Sequence, residues 1–361
     1  MKKDQLVGSG AFRAALLLRT VVALALVLGI SALMFTGCDT DGDDEEVAAV
    51  FNPPVAWTTS PNSPFDTTAV QKIAFGNNTF VATGSGATAW YSTDGINWTA
   101  SSSTSGFVSG NSISGLGFGG GMFVATGGSS NNTTRAYSKY GVTWTASGTG
   151  TFNAKGVAYG NGTFVISGAG GQIAYTTDPV NNTWTVLAND ETGTNFGGTG
   201  NKEFINAVVY GKGKFVAGGG RGQTIYSTNG ITWDQNDQTA DIFLDGGFID
   251  GIAFSGSRFV AAGGNGSKAV LAWSDDGINW TNVVEPRLGV ETEANNVAWG
   301  NGYFVAVGRN SGVASYSSDG IIWTAIEDTT FAGSGINGVV FGKDKWIIVG
   351  AGGKVAYSQV K

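Results

Sequence analysis

"YSTDGINWT", residues 91–99, reads as a tight hairpin: one strand ends at Tyr91-Ser92, Asp94-Gly95 make the turn, and a second strand resumes through Trp98. The chain writes nearly the same phrase at 273–281, "WSDDGINWT", and at 316–324, "YSSDGIIWT". One hairpin recurring at wide intervals predicts a repeat architecture, in which the segments between the hairpins must recur as well.

They do. The stretch "VAYGNGTFVISGAGGQIAYTTDPVNNTWTVL", 157–187, holds four short apolar runs divided by turn residues, and the body of the chain contains seven such copies. The first run starts at Lys72, Gly115, Gly156, Ala207, Gly251, Asn296 and Gly338, and the second at Phe80, Phe123, Phe164, Phe215, Phe259, Phe304 and Trp346. The third ends at Tyr91, Tyr137, Tyr175, Tyr226, Trp273, Tyr316 and Tyr357, and the fourth carries Trp98, Trp144, Trp184, Trp233, Trp280 and Trp323. Four strands recurring roughly every 40 to 50 residues predict an all-β, seven-bladed β-propeller of four-stranded blades over residues 53–361. The seventh copy stops after its third strand. The missing piece stands at the other end, where "VAWTTS" (55–60) matches "INWTAS" (96–101), so an N-terminal strand is expected to complete the last blade and close the ring.

The hairpin motif is similar to the Asp-box, Ser-x-Asp-x-Gly-x-x-Trp, of sialidase-like propellers. Its residues here are Ser92, Asp94, Gly95 and Trp98, then Ser274, Asp276, Gly277 and Trp280, then Ser317, Asp319, Gly320 and Trp323. The copies lack one residue between Asp and Gly. Tyr140 and Asn229 replace the Asp in blades two and four, and blade three matches loosely through Thr176, Asp178 and Trp184. The expected role is structural: Ser and Asp side chains accept turn N–H groups, Gly takes positive φ, and Trp packs in the blade's outer layer. The resemblance implies that these turns lie on the face away from any binding site.

Ahead of the body, Lys2, Lys3, Arg13 and Arg19 precede an apolar run from Thr20 to Phe35, too short to span a bilayer and read as the core of a secretory signal. Phe35-Thr36-Gly37-Cys38 resembles the lipobox of bacterial lipoproteins, with Phe35 where Leu is usual. The resemblance implies a signal peptide over 1–37, lipidation of Cys38, and a membrane-anchored protein of the bacterial cell envelope, periplasmic or surface-exposed. Cys38 is the sole cysteine, so no internal disulfide competes for it. "DTDGDDEE" follows, and residues 38–52 are expected to form a solvated acidic tether. From residue 47 onward 16 Lys and Arg face 20 Asp and Glu, so the body is mildly acidic, without the basic surface that nucleic acid requires.

The chain has no histidine, which removes histidine-based triads and histidine-ligated metals. No metal or cofactor is expected. Carboxylate chemistry is what remains for an enzyme, and two inter-blade links carry Asp234, Asp237, Asp241, Asp245 and Asp250, then Glu285, Glu291 and Glu293. Arg135, Arg221 and Arg309 follow second strands and are a candidate arginine cluster, in the manner of a sialidase. The alternatives are therefore a non-catalytic binding or scaffolding module for a protein or glycan, which is favoured, and a sialidase-like glycoside hydrolase or lyase using loop carboxylates.

Loop lengths choose the working face. The turns after first strands are short and nearly invariant, whereas the links from each fourth strand to the next blade vary most, and recognition sits on variable loops. Just before the first run of each blade stand Gln71, Ser114, Lys155, Asn206, Asp250, Asn295 and Asn337, expected to ring one mouth of the central channel as the ligand-binding set. Phe65, Phe107, Phe152, Phe196, Phe204, Phe243, Phe248 and Phe331 in the links are expected either to flank that mouth or to plug gaps between blades.

Overall fold

The computed structural model describes residues 52–361, apart from 62, 130–131, 188–195, 197–202, 237–239, 244–245, 267, 290–291, 329 and 360–361. The signal segment, Cys38 and all of the tether but Asn52 lie outside the described residues.

Seven four-stranded antiparallel sheets follow one another along the chain. Blades 1 to 6 occupy residues 70–100, 113–150, 154–186, 205–236, 248–282 and 294–326. The seventh has three strands from 336–359 and takes its fourth from β1 (Thr58–Thr59), with Thr58 opposite Tyr357 and Thr59 opposite Ala356. First strands touch their neighbours all the way round, the one at Ile336–Gly342 returning to the one at Val70–Gly76, so the sheets form a closed ring. The fold is thus the seven-bladed propeller that the repeat predicts, closed at the predicted strand. One helical turn, Ala240–Phe243, interrupts the link into blade 5.

The repeat unit explains how adjacent blades meet. Second strands such as Thr79–Gly84 and Phe259–Gly264 are buried along their whole length, which suits their run of aromatic, β-branched and small residues. Six of the seven first strands end in a glycine for a steric reason. A side chain at Gly76 would collide with Phe118 of the next blade, at Gly119 with Tyr159, at Gly160 with Tyr210, and at Gly342 with Phe75, which closes the circuit. Each aromatic also packs on the start of its own blade's second strand, as Phe75 does on Phe80 at 4.6 Å. An aromatic residue seated on the neighbour's glycine backbone, at six of the seven blade junctions, sets how closely those blades can pack; blade 5 has Ser255 in the glycine's place.

The strand directions define two faces. Turns between first and second strands share one face with the hairpins between third and fourth strands; turns between second and third strands share the other with the inter-blade links. The first of these faces is stitched together. Asn77 Nδ2 of blade 1 donates to Lys139 O of blade 2 at 2.8 Å, and Lys214 Nζ of blade 4 to Asp276 O of blade 5 at 3.0 Å. Arg258 Nη1 of blade 5 likewise donates to Asp319 O of blade 6 at 2.7 Å, and Lys343 Nζ of blade 7 to Thr93 O of blade 1. Asn52 lies on this face too, where Asn301 Nδ2 reaches its carbonyl at 3.3 Å.

Candidate functional site

Every first strand begins with a shift of register against its second strand, and the pairing skips one residue per blade: Gln71, Ser114, Lys155, Asn206, Asp250, Asn295 and Asn337. A β-bulge leaves its extra residue outside the ladder and re-aims the side chain. All seven line one cavity of about 220 Å³ on the link face, together with Lys72 and Arg309. A second cavity of about 150 Å³ shares Lys72, Lys155, Asn206 and Asp250 and follows the first strands along the channel, past Leu116, Val157, Ile252 and Val339.

From Lys155 to Asn337 the mouth is a hydrogen-bonded chain of side chains. Lys155 Nζ donates to Asn206 Oδ1 at 3.1 Å, and Asn206 Nδ2 to Asp250 Oδ1 at 3.0 Å. Arg309 Nη2 donates to Asp250 Oδ2 and, at 3.4 Å, to Asn295 Oδ1. Asn295 Nδ2 continues to Asn337 Oδ1 at 3.2 Å. Several of these side chains also reach the next blade's backbone: Ser114 to Ala154 O at 3.2 Å, Asn206 to Ile249 O at 3.2 Å, Asn295 to Ile336 O at 2.9 Å, and Asn337 to Val70 O at 2.9 Å. The ring therefore ties blades together as well as presenting polar groups to the channel.

Among the described residues, three cations and one carboxylate line this mouth. Arg309 also ion-pairs with Glu293, Nε to Oε2 at 3.4 Å, so two carboxylates engage its guanidinium. Among the described residues Lys155 has no acidic ion-pair partner, and Lys72 makes no hydrogen bond or ion pair. Burial pushes both lysines below their ordinary value; the attraction of Asp250 opposes this, while repulsion from Arg309, and for Lys72 from Lys155, adds to it. Burial pushes the Asp250 carboxyl up, against the pull of Arg309, Lys72 and Lys155.

Sequence reasoning missed Lys72 and the place of Arg309. The signal for Lys72 was available, because the same column holds Gly115, Gly156, Ala207, Gly251, Asn296 and Gly338 in the other blades, all uncharged and mostly small. Of the link phenylalanines, Phe65, Phe107, Phe152, Phe196, Phe243 and Phe331 are buried as plugs, with Phe65 packed 4.4 Å from Trp90. Only two flank the mouth. Phe204 is 37% exposed with Lys155 Nζ 4.2 Å from its ring centre, and the Arg309 guanidinium lies 5.1 Å from that of Phe248.

The candidate arginine cluster is not formed, because each arginine has separate surroundings. Arg135 is buried between Phe152 and Trp184, Arg221 faces Glu203 at 3.8 Å, and Arg309 stands at the mouth. Of the described loop acids, Asp250 and Glu293 meet on Arg309, and the others stand apart. Asp234 is exposed, Glu285 pairs with Arg287, and Glu293 accepts from Gly266 N at 3.0 Å besides holding Arg309. Asp237, Asp245, Glu291 and the Asp241 side chain lie outside the described residues. Among those described, Asp250 is the one carboxylate lining the mouth.

On the opposite face the hairpin turns are built by their own side chains. Asp94 Oδ1 accepts from Ile96 N and Asn97 N, both at 2.8 Å, and Ser92 Oγ from Gly95 N at 2.8 Å, with Gly95 at φ +74°. Asp276 and Ser274 repeat this in blade 5, and Asp319 and Ser317 in blade 6. Asn229 replaces the carboxylate in blade 4 with the same two bonds, at 2.8 and 2.9 Å. Where Tyr140 stands in blade 2, only the serine bond remains, Gly141 N to Ser138 Oγ at 2.8 Å.

No protein-family model matches the chain, and no curated protein matches it. Solved structures do. YCF48 bound to a D1 peptide superposes with a TM-score of 0.63 at 17% identity, covering 87% of this chain and 99% of that one. YCF48 from Cyanidioschyzon merolae gives 0.62 at 16% identity over 84% and 99% of the two chains. The extracellular domain of BT4673 from B. thetaiotaomicron gives 0.59 at 10% identity over 84% of this chain and 39% of that one. At these identities the likeness is one of fold.

Proposed function

We propose that the protein is a lipid-anchored propeller of the bacterial cell envelope whose channel mouth binds a segment of another protein, without catalysis. The observation that carries this reading is the convergence of seven bulged residues, one from each blade, on a single polar cavity. A hydrolase would need a facing acid and base. Among the described residues the mouth offers one carboxylate, Asp250, and that group is engaged by Arg309. A peptide is preferred to a glycan because YCF48, a structural relative, has been solved with a peptide bound. Lipidation of Cys38, removal of 1–37 and a tether through residue 52 complete the proposal.

The test is photocrosslinking in cells with the full-length chain. A benzoylphenylalanine at Ser114 is expected to capture a protein partner, while one at Asn97 on the opposite face is not. Capture from position 97 alone would overturn the assignment of the working face.

A further inference from the structure

We propose that Lys72 and Lys155 form a subsite for the free α-carboxylate at the C-terminal end of a peptide; this deepens, and rests on, the reading of the mouth as a protein-binding site. Arg309 is held by Asp250 and Glu293, so its charge is already answered. The two ammonium groups are not. Each carries three donors, of which Lys155 uses one on Asn206 Oδ1 at 3.1 Å and Lys72 uses none among the described residues. Two partly desolvated cations lining one cavity repel each other, and an incoming anion relieves both costs at once. Lys72 is also set up sterically. Glycine or alanine takes its place in five of the other six blades, which leaves the channel axis open in front of its side chain.

The rest of the mouth suits a chain end more than a small free anion. Gln71 and Asn337, each with one amide hydrogen bonded, offer donors to a peptide backbone, while Asn206 and Asn295, both of whose amide hydrogens are donated, offer acceptor oxygens. A cavity of about 220 Å³ that continues along the axis admits a terminus, whereas an internal segment would have to enter and turn back within it. Capture of a terminal carboxylate is an established mode of peptide recognition, and here ammonium groups supply the donors.

The experiment offers the full-length chain a mixed pool of hexapeptides with free carboxyl ends and, separately, the same pool as C-terminal amides. Free acids are expected to be retained about tenfold more than amides, and Lys72→Met and Lys155→Met each to remove most of that preference. Melting curves of both variants check that the ring is intact, and competition with acetate and with inorganic phosphate separates a carboxylate site from a phosphate site. Equal retention of the two pools, retention of neither, unchanged preference in a folded double variant, or displacement by phosphate well below the acetate concentration would each overturn the subsite. Equal retention of the two pools together with crosslinks from position 114 would leave the mouth as the working face and remove only the subsite. Crosslinks confined to position 97 would remove both.

Discussion

The backbone N–H of Trp57 donates to Asp328 Oδ2 at 3.0 Å, joining residues 271 positions apart in the sequence. Thr330 Oγ1 adds a bond to Trp57 O at 3.2 Å, and the indole packs with Phe331, Ile348 and Trp346. The closing strand is only two residues long, so these contacts and the buried ring carry much of the seam. Trp57→Ala is expected to cost about 3 kcal/mol, and deletion of 51–60 more, because the last blade then presents an unpaired edge. Urea melts of the two variants check this. Unchanged midpoints would mean that the seam holds without the strand.

The hairpin carboxylates make the fold sensitive to acid. Burial works against ionisation of Asp94, but the bonds from Asn97, Ile96 and Ser92 outweigh it and hold the carboxyl at about 2; Asp276, with Asn279, Ile278 and Ser274, is also held at about 2. Both lie below the ordinary value of 3.8, so the stabilisation is complete above about pH 4 and is lost as pH falls towards 2. The melting temperature is expected to drop across that window. In an Asp94→Asn, Asp276→Asn double variant the drop should be shallower, with little loss at pH 7, since Asn229 already makes the same two bonds as a neutral amide.

Arg135 is 4% exposed, its Nη2 has no hydrogen-bond partner, and no carboxylate pairs with it among the described residues. Its guanidinium lies over Trp184 at 5.3 Å, and burial lowers its pKa to about 10. An unpaired buried charge costs more than the aromatic contacts return. Arg135→Met is therefore expected to leave stability unchanged or raise it by about 1 kcal/mol. A loss of several kcal/mol in thermal or urea melts would show that the cation has an anionic partner in solution.

Anchoring is testable apart from the propeller. Cys38→Ala is expected to abolish lipid labelling and move the protein into soluble extracts. Full retention on membranes in that variant would favour an uncleaved signal anchor.

The ring was legible in the sequence because its rules are local and repeated: the Ser92–Trp98 hairpin, the aromatic-glycine end of six of the seven first strands, and the orphan strand at 55–60. The position of the mouth set was legible for the same reason, since one column of the repeat supplies one residue per blade. Its composition was less so. A bulge at Lys155 or Asp250 is invisible to a period of two, and Arg309 enters from a turn in blade 6 to meet Asp250 of blade 5, a contact between residues distant in the repeat. The phenylalanines could not be sorted into plugs and mouth residues from sequence, because a link residue's type says nothing about depth: Phe204 stays at the mouth while Phe196 is buried.

Asp250 sets the polarity of the mouth, and its removal separates a site for anions from a site for amines or hydroxyls. Its side chain is 13% exposed and that of Arg309 40%, so the pair is partly desolvated. Asp250→Asn keeps an acceptor for Asn206 Nδ2 and leaves Arg309 on Glu293, so the stability cost should be near 1 kcal/mol. It raises the charge of the mouth by one, and retention of free-carboxyl hexapeptides should increase severalfold, most at low salt. Arg309→Met does the reverse. It leaves Asp250 to the two lysines, which should weaken retention and cost about 2 to 3 kcal/mol, because Asp250 and Glu293 both lose their guanidinium. Weaker retention by a folded Asp250→Asn variant would mean that the carboxylate itself holds the ligand, and the mouth would then be a site for donors.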